Sequence, residues 1–86
     1  MAETPAALPL REYLLYEALS AKLGQWVPYG ELCKMLTDYD DIPARATLRT
    51  HMSRVRRKLG PGAIESSYGI GYRLTRAVPV EHAVYR

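Results

Sequence analysis

Residues 51–59 read His-Met-Ser-Arg-Val-Arg-Arg-Lys-Leu, and residues 68–74 read Tyr-Gly-Ile-Gly-Tyr-Arg-Leu. The first stretch has the spacing of an amphipathic helix that is basic on one side, and its apolar side begins a turn earlier. The second contains two glycines, which permit the positive backbone angles of a tight turn between strands. The apolar positions of the helix are Leu48, Met52, Val55 and Leu59.

The boundaries of this helix and of the strands after it follow from proline and glycine. Pro43 suits the first position of a helix, and residues 60–62, Gly-Pro-Gly, cannot continue one. The sequence therefore predicts a helix over residues 43–59, followed by two short strands over 63–67 and 72–76.

Two more helices are predicted upstream. Leucines and alanines at helical spacing predict a first helix over residues 10–23, with Glu12 and Glu17 facing away from the apolar rows. Pro28 can open a second helix over residues 28–36. Three helices followed by a hairpin give a mainly α fold with a small β-hairpin, the order of a winged helix-turn-helix.

At 86 residues the chain is long enough for one domain. We assign residues 1–9 to a loose lead-in, residues 10–76 to the folded domain, and residues 77–86 to a tail or edge strand. Tyr13, Trp26, Tyr72 and Leu74 are expected in its core.

Charge is distributed unevenly along the chain. Residues 1–44 carry three basic and seven acidic side chains, whereas residues 45–76 carry eight basic and one acidic. This asymmetry favours a polyanionic partner for the second half, although a solvated basic helix would show the same pattern.

Several function classes are disfavoured. The only cysteine, Cys33, excludes an internal disulfide and is expected to be a small buried hydrophobe. No catalytic group is expected, because Ser66, Ser67 and His51 form no credible nucleophile arrangement. No metal site is expected, because His82 and Cys33, the possible partners of His51, are far off in sequence, and no cofactor is expected. No uninterrupted apolar stretch is long enough to span a membrane, and no secretory signal is recognisable.

Residues 51–59 and 68–74, correctly spaced, resemble the OmpR/PhoB-type winged-helix DNA-binding domain of response regulators. That family repeats a histidine, an aliphatic residue and an arginine-rich run ending in Lys-Leu, and it closes with a Gly-x-Gly-Tyr-Arg wing. Residues 12–15, Glu-Tyr-Leu-Leu, resemble its first-helix signature, and the likeness covers residues 8–75. The resemblance implies a third helix in the major groove of double-stranded DNA and a wing on the backbone or minor groove.

The sequence departs from the family pattern at identifiable positions. Pro9 replaces the usual threonine, Arg49 stands where an acidic residue is usual, and Tyr68 replaces the wing-tip arginine. The loop before the third helix is short and lacks the family's tryptophan-glycine. In the family this loop often touches RNA polymerase. Residues 1–8 are too few for the family's four-stranded N-terminal sheet, and no receiver domain is expected.

The resemblance and the basic helix face together predict the DNA-contacting side chains. Those facing the groove are expected to read base edges, and those on the flanks to meet phosphate. The predicted set is Arg45, Arg49, Thr50, His51, Ser53, Arg54, Arg56, Arg57, Lys58, Tyr68, Arg73 and Arg76.

We therefore expect a sequence-specific DNA-binding transcription regulator in the cytoplasm of a bacterium or of a phage-infected host. RNA polymerase and a homodimer on DNA are the further partners considered. The alternative is a winged-helix interaction module that docks on RNA polymerase or on another regulator, with the acidic first half of the chain and Tyr39 or Tyr68 in the contact.

Overall fold

The structure is a computed structural model that describes residues 4–36 and 45–83, with side chains in the second range from residue 47 onward. Eight elements are found in these two ranges. In chain order they are β1 (Ala6–Leu8), α1 (Leu10–Ala21), β2 (Val27–Pro28), α2 (Tyr29–Lys34), α3 (Arg45–Leu59), β3 (Ile64–Ser67), β4 (Gly71–Leu74) and β5 (Val80–His82).

The three predicted helices and the hairpin are confirmed, with small differences at their ends. Helix α1 ends two residues early, and Gly24 with φ of +81° turns the chain afterwards. The expected start of the third helix at Pro43 and the aspartates before it lie outside the described residues. The hairpin strands have four residues each instead of the expected five: β3 begins one residue later, and β4 begins one residue earlier, at Gly71, and ends at Leu74.

The wing is a three-stranded antiparallel sheet in the order β2-β4-β3. Val27 pairs with Tyr72 and Pro28 with Gly71, so the short strand after α1 closes the open edge of the hairpin. The β3–β4 hairpin of this sheet follows α3 directly in the chain and completes a winged helix-turn-helix.

The two ends of the described chain form a second sheet. We expected residues 1–9 to be a loose lead-in, but Ala6–Leu8 form β1 and pair in parallel with β5. Leu8 is fully buried, and Ala6 and Val80 pack against the core. Local periodicity could not reveal this pairing, since β1 has three residues and its partner is near the other end of the chain.

The core lies between the inner faces of the helices and the wing sheet. The predicted apolar row of α3 is confirmed, because each of its four side chains is at most 5% exposed. Of the four other residues expected in the core, Tyr72 and Leu74 are buried, whereas Tyr13 and Trp26 are half-buried. No helix in the described ranges is both long and apolar enough to cross a bilayer.

Glu12 corrects the prediction that both acidic residues of α1 face outward. It is 3% exposed and shares the buried stripe of α1 with Leu15, Tyr16 and Leu19, whereas Glu17 is exposed. The prediction was wrong because it used apolar residues alone to define the inner face, while Glu12 occupies that face with ionic partners.

Candidate nucleic-acid interface

The outward face of α3 is a polar and basic surface, held in place by the buried row behind it. A shallow groove of about 500 Å³ on this face is bounded by five exposed side chains. Guanidinium groups can bond two acceptors on one base edge, and hydroxyls can meet either bases or phosphates. The five are Arg49, Thr50, Ser53, Arg54 and Arg57, all of them predicted site residues.

A second, more enclosed cleft lies between α3 and the wing. It has a volume of about 410 Å³, and its polar walls come from both elements. Tyr29 and Ser66 were missed by sequence reasoning, because only the pairing of β2 and β3 with β4 brings them here. The lining consists of Tyr29, Arg49, Met52, Ser53, Arg56, Ser66, Tyr68 and Tyr72.

Two tyrosines of this cleft, Tyr29 and Tyr72, are held in place by contacts with the wing and with each other. The Tyr29 hydroxyl donates to the Ser67 carbonyl oxygen at 2.8 Å, and the Tyr29 ring meets Tyr72 edge-on at 5.6 Å between centroids. Burial raises the pKa of the Tyr72 hydroxyl and the neighbouring Tyr29 adds to the rise, while Arg56 and Arg49 oppose it. Tyr72 therefore stays uncharged at neutral pH, next to two arginines.

The opposite flank of α3 faces α1 and carries a buried ionic cluster. The Glu12 carboxylate lies 3.8 Å from Nδ1 of His51 and 3.6 Å from Nζ of Lys58. The side chains of Glu12, His51 and Lys58 are 4%, 19% and 39% exposed, so the cluster opens toward the edge of the outward basic face of α3. Two predicted site residues, His51 and Lys58, thus lie beside Glu12, which was expected to face solvent.

The wing tip is exposed and carries no basic or acidic side chain. Tyr68 is 100% exposed and Ile70 is 49% exposed, with Gly69 between them at φ of +81°. The predicted cations of the wing lie away from this tip and have protein partners. The Arg73 guanidinium stacks over Trp26 at 4.5 Å and pairs with Glu65, and Arg76 donates to the Pro61 carbonyl oxygen at 3.2 Å.

Ligands for a metal are not brought together in the described ranges, which contain no group of three or more His, Cys, Asp or Glu side chains suited to hold an ion. Cys33 is buried in the core, as predicted.

This arrangement matches a known family. The sequence model described as "Transcriptional regulatory protein, C terminal" matches residues 3–74. The chain belongs to this family, the OmpR/PhoB-type DNA-binding domains. The matched region contains both α3 and the wing, whereas β5 lies beyond its end.

Two bacterial regulators show the same relationship over 74 residues. The transcriptional regulatory protein QseB of Escherichia coli O157:H7 is 31% identical, and PmrA of Pectobacterium parmentieri is 30% identical. Each alignment covers 86% of this chain but only 34% and 33% of those proteins. The chain thus spans about a third of the length of both regulators.

A solved structure shows the same fold. The C-terminal domain of the nisin resistance regulator NsrR, a lantibiotic response regulator, superposes with a TM-score of 0.64 at 28% identity. The match covers 78% of this chain and 71% of that domain. The OmpR/PhoB-type assignment inferred from residues 51–59 and 68–74 is therefore confirmed, and the family is one of transcription regulators and not of enzymes.

Within this OmpR/PhoB-type domain the predicted site residues fall into separate groups. Arg45 begins α3, but its side chain lies outside the described part. The five groove residues and Arg56 form one continuous surface with Tyr68. His51 and Lys58 lie on the α1 flank of α3. Arg73 and Arg76 lie within the wing.

Proposed function

We propose that this OmpR/PhoB-type domain binds double-stranded DNA sequence-specifically, with α3 in the major groove and the wing against the backbone or minor groove. The observation that carries the proposal is the exposed face of α3, which presents Arg49, Arg54 and Arg57 beside two hydroxyls. No carboxylate in the described ranges pairs with these three arginines. A surface of this kind gains free energy from releasing the counterions of a polyanion.

The side chains divide the work by position. Arg49 and Arg54 read base edges, where a bidentate bond to guanine gives discrimination. Arg56, Arg57 and Lys58 contact phosphates and set the register of the helix, which carries no sequence information by itself. Tyr68 packs against a sugar, and Arg73 and Arg76 contribute charge near the backbone.

Occupation of a promoter by this domain represses transcription by excluding RNA polymerase, or activates it through a contact with polymerase. One half-site offers few base contacts, so we propose that two copies bind together on DNA. The chain acts in the cytoplasm, has no catalytic activity and needs no cofactor.

A second candidate is a protein-interaction module. It is favoured by the wing tip, where Tyr68 and Ile70 expose apolar surface in place of positive charge. Under this alternative the wing contacts a polymerase subunit or another regulator, and DNA binding is weak at any salt concentration.

A salt titration on a random-sequence duplex separates these candidates. If four to six phosphates are neutralised, the slope of log K against log salt is about −4 to −5, from about −0.9 per phosphate. The double variant Arg56→Ala/Arg57→Ala, which removes two of the side chains assigned to phosphate, should make this slope shallower by nearly two phosphate equivalents. The matched control, Lys22→Ala/Lys34→Ala, removes the same charge outside α3 and should change the slope much less. A wild-type slope shallower than about −2 contradicts docking of α3 in the groove.

A further inference from the structure

Glu12 is the only buried charged side chain in the described ranges, and its position is unusual for a carboxylate. A carboxylate taken out of water loses solvation free energy, so it is tolerated only beside groups that compensate its charge. One oxygen, Oε1, and the Nδ1 atom of His51 are both buried without a hydrogen-bond partner. The two partner side chains come from a single helix, α3, where they are seven residues apart.

Seven residues are two turns of helix, so His51 and Lys58 lie on one stripe of α3. This stripe borders the buried row on one side. On its other side it borders Arg54, which lines the outward groove. His51 and Lys58 therefore reach inward to Glu12 while standing at the edge of the surface assigned to DNA.

A histidine in this position has one nitrogen facing a carboxylate and the other nitrogen on the far side of the ring. Neutral imidazole carries one N–H, so it can donate to only one of two acceptors. Doubly protonated imidazole donates from both nitrogens and can bridge two anions.

We propose that Glu12 is a positioning residue for DNA binding: it holds Nδ1 of His51, so that Nε2 is directed at a backbone phosphate. His51 then donates to the carboxylate and to the phosphate together, and this flank takes up one proton when DNA binds. The inference rests on the proposed function, since the second anion is the DNA phosphate.

The charged groups around His51 are few. On α3 itself they are Lys58 and, one turn away from His51, Arg54. On α1 the facing group is Glu12, and β1, with the sequence Ala-Ala-Leu, contributes no ionisable side chain. Helix α2 buries Leu32 and Cys33, and its Glu31 pairs with Lys22 on the surface.

The test is the dissociation constant for a duplex at constant ionic strength between pH 5.5 and 8.5. For the wild-type protein we expect affinity to fall as the pH rises, by up to about tenfold per pH unit, because the bound state holds one more proton than the free state. His51→Gln should abolish this dependence. The chain has two histidines, so His82→Gln is the matched control and should retain it.

Glu12→Gln separates positioning from a merely structural role. Without the carboxylate, neutral His51 can place its proton on Nε2 and donate to phosphate with no proton uptake. We therefore expect this variant to bind at pH 8 at least as well as the wild type and to lose the pH dependence. A structural role would instead weaken binding equally at every pH, and circular dichroism of the variant establishes that it is folded.

Imidazole nitrogen shifts of the wild-type protein give a second measurement. In the DNA complex at pH 7 both nitrogens of His51 should be protonated. A pH-independent affinity, or a dependence that survives in His51→Gln, would overturn the inference while leaving DNA binding intact. Failure of the wild-type protein to bind duplex at any pH in this range would overturn both proposals.

Discussion

The two flanks of α3 differ in whether their basic side chains have a carboxylate partner. On the wing flank, Arg49 and Arg56 stand exposed over a cleft, with no carboxylate partner in the described part of the chain. On the α1 flank, His51 and Lys58 lie within 4 Å of the buried Glu12. An unpaired basic side chain attracts a polyanion over about a Debye length and can adjust its conformation to it. A basic side chain paired with a carboxylate attracts a polyanion less strongly but is held in one position.

The flanks also differ in what supports them. The wing flank depends on close approach of backbones, since β4 passes β2 at Gly71 with no room for a side chain. The α1 flank depends on side chains and on the chain ends. Tyr16 donates to the Val78 carbonyl oxygen at 2.8 Å and accepts from the Val78 N–H at 3.1 Å, which fastens the C-terminal segment across α1.

The largest effect on stability is expected from Gly71→Ala, which disturbs only the wing side of α3. An added Cβ would lie 1.9 Å from the Val27 carbonyl oxygen, so the β2–β4 pairing must open. We expect a loss of about 3 kcal/mol in the free energy of unfolding, measured by urea denaturation. Gly30→Ala is the control, because its Cβ would meet nothing within 4 Å and helices favour alanine. Equal stability of the two variants would contradict the close approach.

The α1 flank is tested by Lys58→Met, which leaves Glu12 buried with His51 alone. Breaking a buried pair costs about 3–5 kcal/mol, and the partial exposure of Lys58 reduces our expectation to about 2 kcal/mol. The control is Lys22→Met, which breaks an exposed pair with Glu31 at 3.0 Å and should cost less than about 1 kcal/mol. If the two variants lose the same stability in thermal denaturation, the Glu12 cluster does not hold this flank.

Between the flanks, Arg54→Ala probes base readout. Loss of a bidentate contact is expected to weaken binding to a selected operator by about 1–3 kcal/mol, while binding to random duplex falls less. Arg57→Ala, assigned to phosphate, should weaken both by similar factors. Competition binding on the two duplexes measures the ratio, and an equal loss for Arg54→Ala would make it a phosphate anchor.

The sequence predicted α3 and the wing well because both rest on local patterns. The apolar row of α3 recurs every three or four residues, and the glycines of the wing mark its turn. The α1 flank was not predictable in this way. The β1–β5 pairing joins segments more than seventy residues apart. The burial of Glu12 in α1 is tolerated because two side chains of α3, His51 and Lys58, lie beside its carboxylate. Propensity and periodicity depend only on neighbours along the chain, whereas the strand pairing and the Glu12 contacts depend on how distant segments pack together.

The smallest effect is expected from Tyr68→Arg, which would make the wing tip resemble the charged flank. Tyr68 is fully exposed and uncharged, so it gains nothing from the negative potential of a narrow minor groove. An arginine there should tighten binding to random duplex a few-fold and steepen the salt slope by about 0.9, one phosphate equivalent. Ser20→Arg, which adds the same charge at an exposed position of α1, is the control and should leave the slope nearly unchanged. Both values come from anisotropy titrations at several salt concentrations. Unchanged DNA affinity in Tyr68→Arg, together with loss of binding to a regulator or polymerase subunit, would move the wing tip to a protein interface and favour the interaction module.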